Sequence, residues 1–187
     1  VGEVVGVLAL IIAGLNFWES HREHAEAERA AVSQAEARSA FVMTGGADAA
    51  GDRIDFRPLN PAQAIQSQQY LFPNAVVDHP IVVSAAQPRV ERSWIDQGLR
   101  SVLATAQAPS SGEATAPLGV ITTYVQDGET YTDGSLYRVG YAWRSQFLGG
   151  RKLRLQGVAL AQRGVKGDLQ AAVEQNWTAN RPALPAR

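Results

Sequence analysis

The chain has 187 residues, 45% of them apolar and 19% charged, with 17 basic side chains against 18 acidic ones and no cysteine. This is the composition of a folded protein of about one domain, and it excludes collagen-like, disordered and disulfide-stapled chains. The net charge of −1 points to no polyanionic partner, and the missing cysteine removes thiolate catalysis, thiolate zinc sites and disulfides.

Val4 to Trp18 reads VVGVLALIIAGLNFW, uncharged and closed by Phe17 and Trp18 where the chain turns polar. These fifteen residues would span about 22 Å as a helix, against about 30 Å of bilayer hydrocarbon. The chain starts at Val1 rather than Met, so the apolar run is expected to continue upstream. With Phe17 and Trp18 as membrane-interface anchors, residues 1–18 are expected to form a membrane anchor rather than a buried core helix. No basic segment precedes the run and no small-residue site follows it, which argues against a cleaved signal peptide. Arg22, Arg29 and Arg38 follow it, and the positive-inside rule then places the soluble part in the cytoplasm.

Residues 19–44 are rich in Ala, Glu and Arg up to Met43, with acid-before-base pairs Glu19/Arg22 and Glu26/Arg29, and predict a helical stalk. Ala25, Val32 and Phe41 keep no heptad, so a coiled coil is not expected. His21, His24 and Glu28 share a helix face with metal-ligand spacing, but a solvated charged face explains them more simply. GGADAAGD, residues 45–52, reads as a linker. A soluble domain over 53–181 and a tail over 182–187 complete the expected organisation.

Within the domain, Ile54 and Phe56 alternate with Arg53, Asp55 and Arg57 as in a half-buried strand. Asn60-Pro61 predicts a helical turn at 61–65. Gln69–Phe72 and Ile81–Ser84 read as short strands. From Pro88, a helical stripe runs through Val90, Trp94, Ile95, Leu99, Val102, Leu103 and Ala106, with Gly98 suited to close approach against a sheet. Residues 108–117 read as a loop.

Leu118–Gln126 predicts a strand, Asp127-Gly128 a hairpin and Asp133-Gly134 an irregular bend. Leu136–Leu148 and Arg151–Arg163 are expected to pair around a two-residue Gly149-Gly150 turn, with Trp143 facing Gln156 and Val139 facing Leu160. That register places Tyr137, Val139, Tyr141, Trp143 and Phe147 on a core face opposite Lys152, Arg154, Gln156, Val158 and Leu160. The other face, Arg138, Gly140, Ala142 and Arg144 with Leu153, Leu155, Gly157 and Ala159, suits a closely packed helix. Asp168 caps a last helix with the stripe Leu169, Val173 and Trp177. The fold class expected is α+β: an N-terminal transmembrane helix continuing into a charged stalk, then an antiparallel sheet with packed helices.

No catalytic, cofactor-binding or metal residues are expected. There is no nucleophile elbow and no phosphate loop, and turn chemistry accounts for Asp127, Glu129 and Asp133. His79 reads as an exposed loop residue. Asn176-Trp177-Thr178 matches a glycosylation acceptor, but within a predicted helix. One charge feature stands out: between Gly134 and Gly167 there are seven basic residues and no acidic one. Arg138, Arg144, Arg151, Lys152, Arg154, Arg163 and Lys166, interleaved with aromatics, form a candidate interaction patch for acidic protein or anionic lipid, with nucleic acid disfavoured.

The function expected is a non-catalytic, single-pass membrane-anchored accessory subunit contacting lipid and other membrane-protein subunits, without a cofactor. The order of elements also resembles type IV pilins and pseudopilins: an apolar N-terminal helix, a polar half, then antiparallel sheet. That resemblance implies a filament subunit. The chain departs from the family in its nearest acidic residue, Glu3, where pilins carry glutamate at the fifth mature position, and no prepilin cleavage motif is visible.

Overall fold

The computed structural model describes residues 40–84, 87–147 and 149–180. Eight strands run in chain order as β1 (Met43–Ala47), β2 (Arg53–Pro58), β3 (Ala64–Leu71), β4 (Ile81–Ser84), β5 (Arg89–Glu91), β6 (Ser111–Gln126), β7 (Glu129–Ser145) and β8 (Arg151–Gln162). Helix α1 (Arg92–Thr105) lies between β5 and β6, and α2 (Leu169–Asn180) follows β8. All eight strands form one antiparallel sheet in the order β4-β3-β6-β7-β8-β1-β2-β5.

That order forces curvature. The edge strands β4 and β5 are consecutive in the chain, from Ser84 to Arg89. Laid flat, the edges of eight strands would stand about 34 Å apart. Five residue steps reach at most about 18 Å. The sheet therefore curls into a nearly closed barrel. Register shifts near Gln66, Gln156 and Ala161 supply the local bends.

The concave side holds the core. Tyr70, Leu118, Tyr137, Val139, Tyr141, Leu153 and Leu155 join Ile95, Leu99 and Leu103 of α1 in one buried cluster. Gln68 is buried there too, donating to Thr122 Oγ1 at 3.0 Å and accepting from the Tyr70 hydroxyl at 2.5 Å. A second cluster forms where α2 lies on the convex side, with Leu169 and Val173 against Leu71 and Leu136. Asp168 caps α2, its carboxylate accepting from the backbone N–H of Gln170 at 2.9 Å and of Ala171 at 3.2 Å.

Several expectations are corrected. The fold is a curled antiparallel sheet with two helices, not an α+β arrangement behind a transmembrane helix. No helix among the described residues is long and apolar enough to cross a membrane. Each of the two helices has one apolar stripe and a polar side, with Arg92, Asp96 and Arg100 on α1 and Gln170 and Glu174 on α2. The single-pass architecture, and the membrane localisation drawn from it, fall with that finding. Residues 1–39, with the apolar run, Phe17, Trp18, His21, His24 and Glu28, lie outside the described residues, as do residues 181–187.

Of the segment read as a linker, residues 45–47 belong to β1, paired to both β2 and β8, and the rest forms the β1–β2 turn; Phe41 and Met43, assigned to the stalk, belong to the core. The helical turn at 61–65 is only a turn, in which Asn60 Oδ1 accepts from the N–H of Ala62, and β3 starts at Ala64. Val90 sits in β5, ahead of the helix rather than on it. Residues 111–117, read as loop, pair along β7, which runs straight through Asp133-Gly134. The hairpin at Asp127-Gly128 forms as expected, with φ of 53° and 82°, the left-handed pair that a two-residue turn needs.

The β7–β8 register differs most. Five residues, not two, separate the strands, and Trp143 pairs with Leu153, Tyr141 with Leu155 and Val139 with Val158. The shift is odd near the turn, so β8 presents its other face there. Leu153 and Leu155 enter the core, and Lys152 and Arg154 turn to solvent. Phe147, expected in the core, is fully exposed.

Two outcomes follow. In a helix interior Gly→Ala ordinarily stabilises by about 1 kcal/mol. At Gly98 the added methyl would run into the carbonyl of Val76, which is backbone and cannot step aside. Gly98→Ala is therefore expected to destabilise by about 1–3 kcal/mol, read as a lower urea midpoint. Burial pushes the Tyr137 and Tyr141 hydroxyls up from 10.0 to about 12, and Tyr70 higher still. The fold holds these protons where the unfolded chain releases them, so stability present below pH 10 is lost as pH rises toward 12. The Tyr141 hydroxyl is buried without a hydrogen-bond partner, so Tyr141→Phe should keep or raise stability at pH 7 and flatten that decline.

Candidate functional site

Alternation along β7 sends Tyr137, Val139, Tyr141 and Trp143 inward and Arg138, Gly140, Ala142 and Arg144 outward. The outward set meets its neighbours in rows across three strands. Ser111, Arg144 and Lys152 form one row, and Glu113, Ala142 and Arg154 the next. Arg144 and Lys152, directly paired, have Cα atoms about 5 Å apart. Together these six residues line an open groove of about 590 Å³.

Ala142 is the small outward residue of β7 in the lining, and beyond it on the same face the small residues continue outside the groove. Gly140 pairs with Gly157, which pairs in turn with Gly46 of β1. The bulge in β8 brings both Gln156 and Gly157 to the outer face, and the Gln156 side chain lies beside Gly140. One wall is fixed: Arg154 donates from Nη2 to the carbonyl of Ala49 at 2.6 Å, tying the groove to the β1–β2 turn. Trp143 closes the base from within, 7% exposed, its indole N–H donating to the carbonyl of Pro109 at 3.0 Å. Glu113 is the one carboxylate of the lining. No ion pair joins Arg144, Lys152 or Arg154 to a carboxylate among the described residues.

The seven cations of the expected patch are thus not one patch. Arg144, Lys152 and Arg154 come together. Arg138 is outward but six residues back along β7, about 20 Å away. Arg151 turns towards the end of the barrel, donating from Nη2 to the carbonyl of Ala108 at 2.7 Å. It lines a second groove of about 420 Å³ with Arg100 and Ala104 of α1. Arg163 and Lys166 lie in the connection to α2, where the Arg163 charge acts on Asp133. Burial raises the Asp133 pKa, partly offset by the Ser135 hydroxyl, which donates to it at 2.6 Å. Among the described residues no cluster of three metal-ligating groups forms, and Asp127, Glu129 and Asp133 are not brought together as one. His79 is exposed beside Asp78.

Sequence reasoning missed Glu113, which it left in a loop, and Arg100, which it read only as the polar side of a helix. No family model, curated protein or solved structure matches the chain.

The groove and the core beneath it separate cleanly. Trp143→Ala should destabilise by about 3–5 kcal/mol, the range for a buried large aromatic. Arg144→Glu, at an exposed outward position, should leave the thermal midpoint unchanged. Thermal and urea unfolding of the two variants checks both.

Proposed function

We propose that the domain is a non-catalytic interaction module, an accessory subunit that docks an acidic segment of a protein partner in the groove across β6, β7 and β8. The observation that carries this reading is the groove itself: three cations without ion-pair partners around the short side chains of Ser111, Ala142 and Ser145, with one carboxylate among them. The short side chains of Ser111 and Ala142 leave room for a polypeptide backbone, and the cations beside them attract acidic side chains and set their register. The concave shape suits a chain segment better than a flat array of headgroups. Glu113 supplies an acceptor for a backbone N–H and opposes a bare polyanion.

Fluorescence anisotropy with a labelled peptide of alternating Glu and Leu, about twelve residues long, tests the reading. Binding should weaken with added salt and fall by about tenfold or more in Arg144→Glu/Lys152→Glu, as expected when two contacting charges are reversed. Lys166→Glu, outside the groove, should bind as the unaltered chain does. Absence of binding, or equal loss in both variants, would remove the groove from consideration.

A further inference from the structure

Both cation-lined grooves share Ser145 and Gln146 as lining residues, so the loop joining β7 to β8 stands between them. On one side lie Arg144, Lys152 and Arg154, on the other Arg100 and Arg151. Phe147 stands in that loop, 103% exposed. The other described phenylalanines, Phe41, Phe56 and Phe72, are at most 3% exposed. A large aromatic held fully in water does nothing for the fold. Flanked on both sides by cations, it has the arrangement of an interface anchor, where an aromatic fills a pocket and a charged rim surrounds it.

We propose that Phe147 is the apolar anchor of the docking surface, inserting between apolar side chains of an acidic partner segment that runs from the β6–β8 groove over the hairpin loop towards Arg100 and Arg151. This rests on the groove reading and adds to it the partner's chemistry: acidic and apolar side chains in one segment rather than acidic ones alone. A chain crossing from one groove to the other must pass the loop, and there it meets a benzyl group instead of a charge. An aromatic tip among cations also suits insertion into a lipid surface. Glu113 in the lining and the recess around it favour a polypeptide.

The test uses the full chain and three probes: the alternating Glu-Leu peptide, an oligoglutamate of the same length, and phosphatidylserine vesicles. Phe147→Ala should weaken the Glu-Leu peptide by about tenfold, as loss of an aromatic anchor does, and leave oligoglutamate binding unchanged. Phe147→Trp should restore the affinity and add a tryptophan emission that shifts to shorter wavelength on binding. If Phe147→Ala binds both peptides as the unaltered chain does, the anchor is refuted while the groove reading stands. If the unaltered chain binds neither peptide, both fail. If Phe147→Ala keeps both peptides but no longer pellets with vesicles, the anchor serves a lipid surface and the proposal is overturned.

Discussion

Ser84 and Arg89 belong to opposite edges of an eight-stranded sheet, yet only four residues lie between them. Most of the architecture follows from that tie. A sheet whose edges must meet has a concave side with little room and a convex side with much. The concave side takes the large residues, the tyrosines at 70, 137 and 141 and the stripe of α1, because only there can they be enclosed from all directions. Each such tyrosine brings a hydroxyl into the interior. Two of them find partners, the Tyr70 hydroxyl at Gln68 and the Tyr137 hydroxyl at the N–H of Met43, and that of Tyr141 does not. The edge strands themselves are short, four and three residues, which limits the unpaired backbone that an unclosed barrel exposes.

The same curvature builds the groove. A strand bent around a barrel needs an extra residue where its partner does not, and in β8 that residue is at Gln156. The bulge lets Leu153 and Leu155 on one side of it, and Val158 on the other, all face the core despite their odd spacing. It leaves Gln156 and Gly157 side by side on the convex face, one row along β8 from Arg154. The groove is thus the outer expression of the bend, and its shape is set by the packing beneath it, with Trp143 as the common wall.

The inward face of β7, the strand at Ile54 and Phe56, the Asp127-Gly128 hairpin and the Asp168-capped helix were all legible, because alternation, turn chemistry and capping are local signals. The β7–β8 register was not. Gly149-Gly150 invites a two-residue turn, and nothing local reveals that the loop is longer. A non-local sign was present: the assumed pairing put Lys152, Arg154 and Gln156 on the core face with Tyr141 and Trp143, whereas a shift by an odd number sets Leu153 and Leu155 there. Composition misled twice. Gly45 looks like linker, but a side chain there would collide with Phe56, so the small residue marks close packing in β1. Ser111–Pro117 looks like loop, but the partner strand makes it β6. The basic residues of the site were found by counting. Which three of seven converge depended on the register, and Glu113 on recognising β6.

Helix α2 shows how the convex face is used. Where it lies, Gly119 of β6 is obligatory: a side chain there would press on Leu169 and Val173. The helix thus sits down on a small-residue floor, burying Leu169, Val173 and Trp177 and leaving Glu174 to accept from the N–H of Asn74 at 2.7 Å. Further along the same face the floor continues through Gly140, Gly157 and Gly46, but without a covering element among the described residues. A side chain at Gly46 would meet nothing within 4 Å. Internal packing explains the small residue under α2 and, through the Gln156 side chain beside it, Gly140, but it does not explain Gly46. The difference between the two halves is charge: apolar contacts hold the chain's own helix, and cations rim the open half. An occupant of the open half is therefore selected by charge where α2 is selected by apolar contact, which makes its docking sensitive to salt in a way the fold is not.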